Sequence, residues 1–153
     1  MKILMVCLGN ICRSPLAEGI MKHKIAELGL DWQVDSAGTG NWHAGDLPDH
    51  RSIATGLTHG VDIRDQRARQ IKVSDFEYFD LILAMDENNL LNIRSLTKDN
   101  VFQNKAKTIL SYLKNPKLIN VPDPYYGTQN DFEEVYKLLD EACESVLKSI
   151  QKG

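Results

Sequence analysis

The chain has little cysteine: only 3 residues, Cys7, Cys12 and Cys143, in 153. A low, odd count does not build a disulfide scaffold. Cys7 and Cys12 stand as C-x4-C, without the second pair or the nearby histidines of a structural zinc site, so no metal is expected. There is no basic tract. The formal net charge is −3 and the acids are scattered, which argues against a nucleic-acid partner. No apolar run approaches the ~20 residues of a membrane helix. The apolar start, Met1 to Val6, is too short for a secretory leader, lacks a small-residue cleavage site and is interrupted by Cys7. A cytoplasmic location with no membrane contact is the expectation. No repeat, low-complexity tract or interior linker divides the chain.

What is there reads as an ordinary soluble globular protein, 42% hydrophobic and 25% charged. One domain spanning 1–153 is expected, monomeric by default. Strand and helix patterns alternate. Ile3 to Leu8 reads as a buried strand and Pro15 to Leu28 as a helix, with Pro15 at its first position, Ala17, Met21, Ile25 and Leu28 on one face and Gly29 as its stop. Trp32 to Ser36 alternates like a strand, broken by Ala37-Gly38-Thr39-Gly40. Pro48 to His59 reads as a helix, Val61 to Ile63 as a short strand, and Ser74 to Tyr78 as a helical turn. Leu81 to Met85 is a buried strand followed by a helix, Asp86 to Arg94; Lys107 to Leu113 leans to strand. In the last helix Asp131 and Glu134 resemble a capping box, ahead of a stripe of Val135, Leu139, Ala142, Val146 and Ile150. This alternation implies an α/β fold with a parallel sheet covered on both faces, whose ligands sit beyond the carboxyl ends of the strands.

The run Met5-Val-Cys-Leu-Gly-Asn-Ile-Cys-Arg-Ser-Pro15 lies at such a place, where the first strand turns into the first helix. Its pattern is C-x5-R-S. A loop of this length can wrap the backbone N–H groups of Leu8 to Cys12 around a tetrahedral oxyanion, helped by the positive end of the helix. Gly9 permits positive φ or close approach, and Asn10 is among the few other residues that tolerate it. Arg13 offers a planar fork to two phosphate oxygens. Cys7 then sits beneath the bound group, in an electropositive nest that favours the nucleophilic thiolate, with Ser14 placed to donate a hydrogen bond to it. Singly, these residues read as an inert buried cysteine, a surface arginine and a plain turn. Together, between strand and helix, they read as a site. A Walker-type loop is excluded, because no G-x4-G-K-[ST] is present.

The run resembles the signature loop of the low-molecular-weight protein tyrosine phosphatases. Further matches follow in chain order: Val34 to Thr39, Trp42 with Pro48-Asp49, Ala68-Arg69-Gln70, Met85 to Asn89, and Asp123-Pro124-Tyr125-Tyr126-Gly127. The resemblance implies a four-stranded parallel sheet flanked by helices. It implies metal-free, cofactor-free hydrolysis of a phosphate monoester through a phosphocysteine on Cys7. Arg13 and the loop amides would bind the phosphoryl oxygens, with Leu8 to Cys12 and Ser14 as substrate-binding residues, and Asp123 would act as general acid and then base. Asn10, Ser14 and Ser36 would hold the loop in shape. Trp42, Tyr125 and Tyr126 would wall a slot deep enough for phosphotyrosine and too deep for phosphoserine. Cys12 would form a reversible disulfide with Cys7, or else only pack beneath the loop; Cys143 looks structural.

The chemistry agrees with that division of roles. Charge on the equatorial oxygens of a transferring phosphoryl group calls for preorganised donors. A leaving phenolate gains about 10²–10⁴-fold from a positioned acid. Prolines on both sides of Asp123 give it a stiff mount.

Implied partners are phosphotyrosine proteins or peptides, with inorganic phosphate as product. A protein arginine phosphatase is the main alternative substrate reading. Bacterial phosphoarginine phosphatases resemble this family but carry threonine where Ile11 stands, and an apolar Ile11 offers a guanidinium no hydrogen bond. An arsenate reductase would need a downstream cysteine pair, and only Cys143 lies beyond the loop. A non-catalytic binding module would not need both Cys7 and Asp123. Some relatives have a histidine three residues before the Arg69 position; here it is Gln66. The four histidines, His23, His43, His50 and His59, read as surface or capping residues.

Overall fold

The computed structural model describes residues 1–152. Its centre is β1, Lys2–Cys7, in which every residue but Lys2 is buried. Alternate side chains of a strand point to opposite faces. Ile3 and Met5 join one core with Leu16, Ile20, Leu139 and Val146, whereas Leu4 and Val6 join another with Phe76, Ile82 and Ile93. That is why the strand is apolar without alternation: both faces are covered.

β1 pairs in parallel with β2 (Gln33–Gly38) on one side and with β3 (Leu81–Ala84) on the other; β3 then pairs in parallel with β4 (Ala106–Thr108). The order β2-β1-β3-β4 makes a four-stranded sheet in a single-domain α/β fold. Helices α1 (Arg13–Glu27), α2 (His50–Thr58) and α6 (Gln129–Lys152) pack together on one side of the sheet. The short α3 (Ser74–Tyr78) and α4 (Glu87–Arg94) carry Phe76 and Ile93 into the core on the other. The strand order turns back beside β1, so the loop leaving Cys7 opens at the switch point where α/β sheets bind ligands.

Several boundaries depart from expectation. α1 begins at Arg13, so Pro15 falls within the first turn, where its missing N–H has no helical acceptor in any case. Leu28 is 54% exposed and leaves the apolar face to Ala17, Met21 and Ile25. β2 continues through Ala37 and Gly38, because these residues still pair with Val6 and Cys7. α2 starts at His50, with the Asp49 side chain capping the N–H of Arg51.

Val61 to Ile63 is not a strand. The Val61 N–H closes the end of α2 on the Gly56 carbonyl, and the two apolar side chains are buried in the core. The expected strand from Lys107 to Leu113 is β4 followed by a 3-10 turn, Ile109–Tyr112. A short helix, α5 (Asn100–Gln103), precedes it. α6 opens two residues before Asp131. The cap there joins Thr128 to Asp131, whose carboxylate accepts from the Thr128 N–H at 2.7 Å; Glu134 takes no part.

Candidate active site

The loop from Cys7 to Arg13 folds around the Cys7 sulfur, which is buried beneath it. The Asn10 N–H points at Sγ from 3.3 Å. Asn10, not Gly9, takes the left-handed conformation, at φ 58°. Its side chain explains why an asparagine is there. The amide donates to Ser14 Oγ at 2.8 Å and to Ser36 Oγ at 3.0 Å, and its oxygen accepts from the Arg69 N–H at 3.0 Å. Ser14 Oγ, already accepting from Asn10, lies 3.0 Å from Sγ and 3.5 Å from the Ala37 carbonyl. Its own proton is within reach of both the sulfur and that carbonyl, the sulfur being the nearer. Gly38 supports the loop by closeness: a Cβ there would meet the Leu8 carbonyl at 2.7 Å.

Ser36 passes the network on to Glu18, donating to its carboxylate at 2.6 Å, and Lys22 pairs with the other oxygen. Glu18 is almost fully buried within α1. Burial raises its pKa, and the hydrogen bonds from Lys22 and Ser36 oppose that only in part. Arg69 does more than hold Asn10: its guanidinium pairs with Asp35 and Asp75.

Arg13 is buried too, with Nη1 donating to Asp86 Oδ2 at 2.7 Å and to the Val121 carbonyl at 3.0 Å. Burial disfavours its charge, but Cys7, Asp86 and Asp123 outweigh that and raise its pKa. Asp86 also caps α4 through the Asn89 N–H. Nη2 of Arg13 lies 3.8 Å from Asp123 Oδ2. Asp123 is half exposed and its Oδ1 accepts from the Tyr125 N–H at 3.1 Å, a local turn that fixes the carboxyl's direction.

Cys7, Arg13 and Asp123 face one cleft of about 240 Å³. Leu8, Gly9, Ile11 and Cys12 also line it, and Trp42, His43, Tyr125 and Tyr126 form its mouth. Trp42 is 70% and Tyr126 96% exposed, so these aromatics stand as an open rim. Asn10 and Ser14, expected to bind substrate as well as to brace the loop, reach no cleft surface; their side chains lie behind it with Ser36. His43, read from the sequence as a surface or capping residue, belongs to the cleft mouth, its Nδ1 3.2 Å from Asp46. A larger groove of about 740 Å³ borders the far side of the Asp123 loop but contains neither Cys7 nor Arg13.

Cys12 is buried with Ile11, Ala68 and Phe132. Burial first, and the charges of Asp49 and Cys7 next, push its pKa to about 12. Cys143 is fully buried against α1, and burial likewise pushes it to about 12. The sequence reading missed Glu18 and Arg51 and assigned no role to Asp49 or Asp86. The helix-cap aspartates before α2 and α4 were the available signal for the last two; a lone carboxylate inside a helix gives none.

The description that matches residues 2–153 is that of the low molecular weight phosphotyrosine protein phosphatase family. The low molecular weight protein-tyrosine-phosphatase YfkJ of Bacillus subtilis is 42% identical, over 98% of this chain and 96% of its own. The crystal structure of a protein tyrosine phosphatase from Entamoeba histolytica superposes with a TM-score of 0.95 at 37% identity, covering 100% of this chain and 98% of the other. That of DARP, a Drosophila arginine phosphatase, superposes at 0.90 with 36% identity, covering 98% of each.

The chain belongs to the low-molecular-weight phosphotyrosine protein phosphatase family. It is accordingly a phosphoric monoester hydrolase.

Proposed function

We propose that this chain removes phosphate from tyrosine side chains of proteins, through a phosphocysteine on Cys7. The observation that carries the reading is that Cys7, Arg13 and Asp123 face a single cleft, with the sulfur held by the Asn10 N–H and Ser14. The Cys7 thiolate attacks phosphorus as the bond to the tyrosyl oxygen breaks. Asp123, entering as the acid, gives its proton to the departing phenolate. Water then attacks the phosphocysteine, Asp123 takes the water's proton, and the thiolate leaves, assisted by Ser14. Arg13 and the loop N–H groups hold the equatorial oxygens through both steps.

An aromatic rim at the mouth supports an aromatic substrate by edge and face contacts. Phosphoarginine is the second reading, favoured by the likeness to DARP. Against it stands Ile11, which lines the cleft and whose side chain has no polar atom to offer a guanidinium. Cys12 serves in this reading as the resolving thiol when Cys7 is oxidised. No described helix is long and apolar enough to cross a membrane. The test is phosphate release from matched phosphotyrosine, phosphoarginine and phosphoserine peptides, with EDTA present and Cys7→Ser as control. Release from phosphotyrosine alone, lost in the variant, is expected. Preference for phosphoarginine keeps the mechanism and overturns the substrate.

A further inference from the structure

The start of α2 is tied to both halves of the cleft. The Asp49 N–H donates to the Ile11 carbonyl at 2.8 Å and Ser52 Oγ to the Cys12 carbonyl at 3.2 Å, fastening the helix to the Cys7 loop. The buried Asp49 carboxylate then holds the Arg51 guanidinium as a fork, accepting from Nε at 3.1 Å and from Nη2 at 3.0 Å. The guanidinium reaches across to the acid loop. Nη2 donates to the Tyr125 carbonyl at 2.8 Å and Nη1 to the Gly127 carbonyl at 3.3 Å. Its central carbon lies over the Phe132 ring, 4.6 Å from the ring centre.

Tyr125 is also the residue whose N–H fixes the Asp123 carboxyl. Among the described residues, the only hydrogen bonds joining Tyr125–Gly127 to elements outside their own turn come from Arg51. An arginine placed merely to pair with Asp49 would leave those carbonyls to water. Here one planar group, locked by a buried carboxylate, spans the two loops.

We infer that the Asp49–Arg51 pair is a positioning brace that sets the reach of Asp123 over Cys7. The brace acts through Asp123, so it rests on the acid role proposed above. A lysine cannot replace it, since a single ammonium lacks the fork needed to engage Asp49 and two carbonyls together.

The test compares Arg51→Met, Arg51→Lys, Asp123→Asn and the Arg51→Met/Asp123→Asn double variant by kcat/KM. Two substrates are used: p-nitrophenyl phosphate, whose phenolate leaves readily without a proton, and phenyl phosphate, whose phenolate does not. The rate of Cys7 alkylation by iodoacetate reports whether the nucleophile loop is intact.

A brace predicts a loss of about 10- to 100-fold for both Arg51 variants on phenyl phosphate, a smaller loss on p-nitrophenyl phosphate, and alkylation close to wild type. It also predicts that Arg51→Met changes kcat/KM little once Asp123 is already Asn. Equal losses on both substrates, or a full loss added on top of Asp123→Asn, overturn the brace while leaving the acid role in place. So does an Arg51→Lys protein that alkylates normally and keeps wild-type activity. If Asp123→Asn alone loses nothing on phenyl phosphate, the acid reading fails and the brace fails with it.

Discussion

Arg13 Nη2 lies 3.8 Å from Asp123 Oδ2, so the candidate anion binder and the candidate acid meet across the cleft. The contact is loose beside the 2.7 Å pair between Arg13 and Asp86. In the proposed mechanism an incoming phosphoryl group displaces this loose contact while Asp86 keeps its hold on the guanidinium. Asp86 thus acts as the fixed support and Asp123 as the group free to work.

Asp86→Asn retains an oxygen to cap α4 but removes the charge that holds Arg13. We expect kcat/KM to fall by roughly 10- to 100-fold and competitive inhibition by inorganic phosphate to weaken. Unchanged phosphate inhibition would mean that Arg13 holds its position without Asp86.

Asn10 combines a left-handed backbone with two donated side-chain hydrogen bonds, and two substitutions separate these roles. Asn10→Gly keeps the conformation but takes one hydrogen bond each from the Ser14 and Ser36 hydroxyls and the acceptor from the Arg69 N–H, at a cost of about 1–3 kcal/mol. Asn10→Ala adds about 1–2 kcal/mol of backbone strain. Urea unfolding should therefore rank wild type above glycine and glycine above alanine. Alanine matching or exceeding glycine would show that the conformation of residue 10 carries no cost.

Burial gives Glu18 a folded-state pKa above its unfolded value. The folded protein then holds that proton more tightly. The associated stability is fully present below the unfolded pKa and is lost as pH rises through the folded one. Glu18→Gln removes the titration, so its stability relative to wild type should improve on going from about pH 4 upward toward neutrality. Thermal melts across that range check it. A difference that stays flat, or falls with rising pH, would show that Lys22 and Ser36 compensate the charge in full.

The sequence revealed most where one segment held its own explanation. β1 and the loop after it were legible because an apolar run ends in a cluster of residues suited to anion binding. Val61 to Ile63 misled because two buried apolar residues flanking an exposed Asp62 look alike in a strand and in a loop packed on a helix. α5 was too short to show a period, and its start depends on Asp99 capping the N–H groups of Val101 and Phe102. Glu18 and Arg51 were invisible for another reason. Each matters through partners far along the chain, Ser36 in one case and Tyr125 in the other. Asn10 and Ser14 were legible as loop supports through the family resemblance, while Asp86 stood inside a matched segment whose task only the Arg13 contact reveals.

Cys12 and Cys143, with thiol pKa values pushed to about 12, should resist iodoacetamide near neutral pH while Cys7 reacts. Peptide mapping by mass spectrometry reads this directly. After brief peroxide treatment, dithiothreitol should restore the wild type but not Cys12→Ser, whose Cys7 has no resolving partner. Equal recovery of both proteins would leave Cys12 a packing residue.

The most direct test of the account is to quench a reacting mixture with acid and locate the phosphoryl adduct by mass spectrometry. With a phosphotyrosine peptide as substrate, the adduct should lie on Cys7, be absent in Cys7→Ser, and persist longer in Asp123→Asn because water activation is impaired. Turnover without any adduct on Cys7, or an adduct on a different residue, would contradict the account.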